Sequence, residues 1–178
     1  MPEFILYIAM SLDGFIATPD GSVAWLNQFQ NDTEDYGYQA FLKSVDCIVC
    51  GSTTYSQIPE LSSSWPYPNK KTYVLTHNIY SDRLDDSVEL VNLPVPNLVQ
   101  KIKQEGLKKI WILGGGKVVQ QFLEANAIDQ MQIAIMPVLL GEGIPLFQKT
   151  KSHQSWNLTG SQVYSDGVVS VIYSKIET

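Results

Sequence analysis

The residues best placed to do chemistry are three consecutive glycines, Gly114-Gly115-Gly116, followed by Lys117 and Val118. The apolar run Lys109 to Leu113 feeds straight into them, and a helical pattern follows. Glycines remove the Cβ atoms that block close approach. A helix N-terminus behind them offers unpaired N–H groups and partial positive charge. That combination suits a diphosphate, and it equally suits a tight strand-to-helix turn that binds nothing. The spacing is neither the Walker pattern nor GxGxxG. A second such turn, Gly51-Ser52-Thr53-Thr54, follows the run Asp46 to Cys50 and offers hydroxyls, with helix capping as the plain alternative. Thr76, His77 and Asn78 follow a third run in the same way, with turn formation as the alternative. Three strand ends of this kind fit the crevice rule for open α/β sheets.

Other candidates point to structure. Cys47 and Cys50 lie inside a strand, three residues apart and so on opposite faces, which suits small buried hydrophobes rather than a redox pair. With two cysteines and only His77 and His153 as histidines, no metal site is expected. Asp13 and Asp20 each precede a glycine and read as turn formers. Trp25, in a polar stretch, is either a core anchor or a flat wall for a ring-shaped ligand.

The elements that must position these residues follow from the apolar pattern. Phe4 to Met10, Asp46 to Cys50, Thr72 to Leu75, Val88 to Val91, Lys109 to Leu113 and Asp129 to Met136 read as strands. Helices are expected over Thr33 to Lys43, from Gly51, over Pro96 to Glu105, and from Gly114 to Ala125. Segments 11–24 and 140–147 read as loops. Ser165-Asp166-Gly167 between two alternating segments signals a hairpin. The expectation is a three-layer α/β/α fold with a mixed, mostly parallel central sheet and a C-terminal antiparallel hairpin.

The chain has 178 residues, which fits a single domain over 1–178. Hydrophobic residues at 44% and charged residues at 17% argue against disorder. A net charge of -6 gives no basic face for nucleic acid. No stretch reaches the roughly 20 apolar residues a membrane helix needs, and no basic n-region precedes the first apolar run. A reduced, cytoplasmic protein with no membrane or nucleic-acid partner is expected. Arg83 is the only arginine, so an anionic ligand must rely on N–H groups, hydroxyls and lysines.

Taken together these residues resemble the dihydrofolate reductase superfamily, and within it the reductase domain of the bifunctional riboflavin-pathway deaminase-reductase. The matching segments are Ile8 to Ala17 with Gly21 and Trp25, Ile48 to Gly51 with Thr54, Ile112 to Lys117, Ile128-Asp129-Gln130, and Pro137 to Phe147. The resemblance implies NADPH lying across the strand ends and a small-molecule substrate beside it. It implies backbone contacts from Ala9 and Ile16 at the nicotinamide end. Gly51, Ser52, Thr53 and Thr54 with Thr76, His77 and Asn78 would bracket the adenosine half. Gly114, Gly115, Gly116, Lys117 and Val118 would hold the diphosphate. Segment 11–24 would be a mobile loop, Trp25 would line the cofactor–substrate junction, and the assembly would be a homodimer.

This chain departs from the folate-reducing pattern at two positions. Those members carry a carboxylate five residues after the tryptophan, where this chain has Gln30; Asp32 lies two residues further. They carry arginine after the glycine matching Gly51, where this chain has Ser52. The chain also lacks the zinc-deaminase pattern of the bifunctional enzyme. The expected activity is hydride transfer to a pteridine-like or aminopyrimidine substrate, as in 5-amino-6-(5-phosphoribosylamino)uracil reductase, with Trp25, Gln30 and Asp32 as candidate catalytic residues. The alternatives are a true dihydrofolate reductase and a non-catalytic nucleotide-binding domain of the same fold.

Overall fold

A computed structural model describes residues 1–30, 34–62, 65–79, 83, 85–149 and 153–176. The strands are β1 (Glu3–Ser11), β2 (Phe15–Ala17), β3 (Cys47–Gly51), β4 (Lys71–Leu75), β5 (Val88–Val91), β6 (Lys109–Gly114), β7 (Gln130–Met136), β8 (Ile144–Pro145), β9 (Trp156–Val163) and β10 (Val169–Lys175). The helices are α1 (Tyr38–Ser44), α2 (Ser52–Leu61), α3 (Val95–Gln104) and α4 (Gly116–Glu124), and Ala24–Phe29 forms a 3-10 helix.

The main sheet has eight strands in the order β5-β4-β3-β6-β1-β7-β10-β9. The first six run parallel, β10 runs antiparallel to β7, and β9 closes a hairpin on β10. Continuous apolar runs form the parallel strands because both faces are covered. On one face α3 and α4 press Leu98, Ile102, Val119 and Phe122 onto Leu6, Val49 and Ile112. On the other, α1 brings Phe41 onto Ile5, Ile48 and Trp111, and α2 brings Tyr55 and Ile58 onto Cys50 and Val74. These are the three layers expected. Cys47 and Cys50 fall into clusters on opposite faces. Both thiols are free and buried, and burial pushes each up to about 12.

The structure departs from the sequence reading in three elements. The first helix begins at Tyr38, not Thr33, which lies outside the described residues. Tyr36 and Gly37 both have positive φ, 54° and 83°, and two left-handed residues in succession break a helix. Asp35 accepts from the N–H groups of Gly37 and Gln39, fixing the start. The two segments read as loops contain β2 and β8, which pair as a small second sheet. Trp25, just past the segment read as loop, sits in the 3-10 helix.

Candidate active site

The six parallel strands end on one edge of the sheet, and along that edge the structure opens a gap. β1 pairs with β6 only from Glu3↔Lys109 to Leu6↔Ile112, whereas it stays paired with β7 as far as Ser11↔Met136. Beyond Leu6 the β6 side of β1 is released, and the half-buried Ala9 lies on this released stretch. The Trp111 indole N–H donates to the Tyr7 carbonyl, 2.9 Å, where the two strands part.

β6 runs into the glycine turn beside this gap. Gly114 has φ 114°, which favours glycine, and the Gly114–Gly115 peptide is cis. A Cβ on Gly116 would stand 2.8 Å from the Pro145 carbonyl oxygen, so this glycine serves close packing. A Cβ on Gly115 would stand 3.4 Å from Thr54 Oγ1 and 3.9 Å from Ile16 Cδ1. A Cβ on Gly51 would meet Val118 Cγ2 at 3.0 Å. The turn therefore gathers Ile16, Gly51, Thr54, Gly114, Gly115, Gly116 and Val118 in one place.

Helices α2 and α4 both start from a glycine, Gly51 and Gly115, and neither start has a side-chain cap. A helix leaves its first N–H groups without internal partners, so at these two ends they point to the crevice edge. With Gly51 in the capping position, Ser52, Thr53 and Thr54 lie inside the first turn of α2. Ser52, Thr53 and Lys117 are exposed beside these ends. At Thr76 the plain explanation holds: its Oγ1 accepts from the Asn78 N–H at 3.0 Å and makes a turn. His77 and Asn78 are exposed there, one strand beyond β3 from the glycine turn.

In the 3-10 helix, Trp25 is half-buried, and its Nε1 is buried without a hydrogen-bond partner. Gln30 lies just past the 3-10 helix in extended conformation and is exposed, not on α1. Asp32 lies outside the described residues. Tyr36 ties this segment to the hairpin turn. Its hydroxyl donates to the Asp166 carboxylate and reaches the Phe29 carbonyl, and its ring meets Tyr164 edge-on at 5.0 Å.

Asp13 does more than form a turn. Its carboxylate accepts from Ser11 Oγ at 2.6 Å and from the N–H groups of Gly141 at 2.7 Å and Leu140 at 3.2 Å. The Ser11 hydroxyl and then these N–H groups hold its carboxyl below the ordinary carboxylate value. The Leu12 N–H donates to Val138 and the Leu146 N–H to Gly14. A Cβ on Gly143 would stand 2.3 Å from the Ala17 carbonyl oxygen. The first half of segment 11–24, expected as a mobile loop, is thus sewn to the chain after β7. Sequence reasoning missed this seam because its partners lie 127 and 128 residues away. Among the described residues, no group of three His, Cys, Asp or Glu side chains is arranged to hold a metal ion, and no helix is long and apolar enough to cross a membrane.

Comparison with known proteins bears on this arrangement. The family described as the RibD C-terminal domain matches residues 2–170. Uncharacterized protein YwjB of Bacillus subtilis (strain 168) is 38% identical over 164 residues, covering 92% of this chain and 93% of its own. A riboflavin-biosynthesis candidate from Shewanella sp. PV-4 superposes with a TM-score of 0.91 at 32% identity, covering 98% of this chain and 99% of that one. The diaminohydroxyphosphoribosylaminopyrimidine deaminase/5-amino-6-(5-phosphoribosylamino)uracil reductase of Thermotoga maritima superposes with a TM-score of 0.76 at 16% identity, a likeness of fold. It covers 98% of this chain and 57% of that longer protein.

Proposed function

Because this chain belongs to the RibD C-terminal domain family, we propose that it is a reductase that uses NADPH to reduce an electron-poor C=N or C=O bond of a pteridine-like or aminopyrimidine heterocycle. The observation that carries this reading is the gap beside β1, bounded by a glycine turn and two uncapped helix starts. A dinucleotide suits it: Gly115 presents no side chain beside Thr54 Oγ1 and Ile16, and the first N–H groups of the two helices match phosphate oxygens.

In this reading the α4 start, Gly114 to Val118 with Lys117, binds the diphosphate. Ser52, Thr53 and Thr54 at the α2 start, with Thr76, His77 and Asn78, take the adenosine half and its 2′-phosphate. Ala9 and Ile16 face the nicotinamide ring. NADPH supplies the hydride when bound. The protein orients the two rings, excludes water and offers the Trp25 indole N–H and the Gln30 amide as donors, with the Asp32 carboxyl as the group that assists protonation. The enzyme works as a homodimer in the cytoplasm.

The test is loss of NADPH absorbance with dihydrofolate and with a riboflavin-pathway aminopyrimidine supplied side by side. Oxidation by the aminopyrimidine alone supports the principal reading, and robust oxidation by dihydrofolate supports a true dihydrofolate reductase. NADPH binding without oxidation by either would leave the non-catalytic nucleotide-binding domain as the better account.

A further inference from the structure

The segment that carries Trp25 and Gln30 is not fixed by the core. No residue of its 3-10 helix is fully buried, and the start of that helix has no side-chain cap. An element with so little buried apolar contact opens at low cost unless something else holds it. Hydrogen bonds from distant elements hold it at both ends. At one end Gln57 Nε2, on α2, donates to the Gly21 carbonyl at 2.9 Å. At the other, the Tyr36 hydroxyl donates to the Asp166 carboxylate in the β9–β10 turn and lies 3.0 Å from the Phe29 carbonyl, next to Gln30. The chain turns on left-handed residues at the same points, Gly21 with φ 87° and Tyr36 with φ 54°. That backbone is costly for a tyrosine, and several contacts enforce it. The Tyr36 carbonyl accepts from the Tyr7 hydroxyl at 3.2 Å, its N–H donates to Glu34 at 2.9 Å, and its ring meets Tyr164 edge-on. The Tyr36 hydroxyl in turn holds the Asp166 carboxyl below its ordinary value, so this acceptor is ionised at neutral pH.

The two anchors stand on opposite sides of the gap. Helix α2 packs over β3 and β4, whereas the β9–β10 turn lies beyond β7. The sheet order puts the opening between β1 and β6 between them. Between the anchors, Trp25 carries the buried indole N–H that has no partner in the protein. A buried donor left unpaired is costly, and an acceptor on a ligand removes that cost.

Resting on the reductase reading, we propose that Gln57, Tyr36 and Asp166 are positioning residues for the substrate: they hold the 3-10 helix between them, so that the heterocycle meets Trp25 and Gln30 already in place. A segment ordered in advance spares binding its ordering entropy. Releasing an anchor therefore weakens substrate binding and leaves the bound complex, and its turnover, as before.

Two variants test this with little change of shape. Tyr36→Phe removes the hydroxyl and keeps the ring against Tyr164, and Gln57→Glu keeps the length of the side chain and removes the donor. The full chain, loaded with NADPH, is given a riboflavin-pathway aminopyrimidine and dihydrofolate in turn, and NADPH oxidation yields KM and kcat. In either variant KM should rise roughly three- to ten-fold, the ratio that one hydrogen bond of ordinary net worth carries. Removal of pure binding leaves kcat and NADPH affinity within about two-fold. Amide exchange over residues 21–30 of the free chain should quicken in both variants. Tyr36→Phe combined with Asp166→Asn should be no worse than Tyr36→Phe alone, because the two residues form one contact. Unchanged exchange, unchanged KM, an equal loss of NADPH affinity, additive effects at Tyr36 and Asp166, or failure of the wild type to bind either heterocycle would each overturn the proposal. If the wild type binds a heterocycle without oxidising NADPH, the reductase reading falls, and the variants' calorimetric affinities for that heterocycle decide the proposal in place of KM.

Discussion

Gly115 separates ligand binding from packing better than either neighbour. Gly114 needs its positive φ, and any side chain at Gly116 collides with the Pro145 carbonyl. At Gly115 φ is ordinary, -76°, and a lone Cβ makes tolerable contacts. Gly115→Ala should therefore fold with little change in Tm. Gly115→Val adds methyls at the α4 start, where the proposed diphosphate lies. It should cost NADPH binding about 3 kcal/mol or more through clash and lost N–H contacts. Fluorescence titration of the folded variant checks this, and unchanged affinity would remove the glycine turn from the cofactor site. Gln30 decides a second question. A carboxylate at that position would stabilise a cationic pterin through charge-assisted bonds about twice as strong as neutral ones, and general-acid help is worth on the order of a hundred-fold or more. Wild-type dihydrofolate turnover should be weak, and Gln30→Asp should raise it. If Asp32 reaches the ring instead, turnover is robust and Asp32→Asn removes it.

Among elements, the seam between the chain after β1 and the chain after β7 sets how the crevice is closed. Asp13 is its charged stitch, and its folded-state pKa is below the ordinary 3.8. A group depressed on folding contributes stability above its unfolded pKa and loses it as pH falls through the folded one. Wild type should therefore lose Tm faster than Asp13→Asn as pH drops from ~5 through and below that value. Parallel Tm–pH curves would show that the carboxylate adds nothing to the seam. The seam also marks where the sequence stops being readable. The parallel strands are legible because burial on both faces leaves unbroken apolar runs, and Asp166-Gly167 announces its own hairpin. β2 and β8 have three and two residues, too short for any period, and find each other across more than a hundred positions. The true start of α1 turns on Tyr36, a residue type that does not advertise a left-handed backbone. Within the site, strand-end glycines and hydroxyls identified Gly51, Thr54 and Gly114 to Val118 as neighbours-to-be. That the two helix starts are uncapped, and that β1 leaves β6 after Leu6, depends on geometry no local pattern carries.

For the whole molecule, the layers do not reach evenly across the sheet. β10 lies inside the sheet between β7 and β9, yet each of its residues is only half-buried, and β9 has no buried residue. One row there, Ser170, Ile172 and Ser174 beside Ala134, Gln132 and Gln130, is small or uncharged. At the same end, on the opposite face of the edge strand, Leu158 is 56% exposed and Val163 74%. A solvated face would ordinarily carry charges, and an unprotected edge strand invites pairing. A two-fold partner placing the same surface against itself would cover both features. Light scattering should give twice the chain mass of 19.9 kDa at micromolar concentration. Ile172→Lys, which puts a charge in the middle of the row, should halve that mass while leaving the far-UV spectrum unchanged. A single-chain mass for the wild type would refute the dimer, and a dimer indifferent to Ile172→Lys would move the interface away from this face.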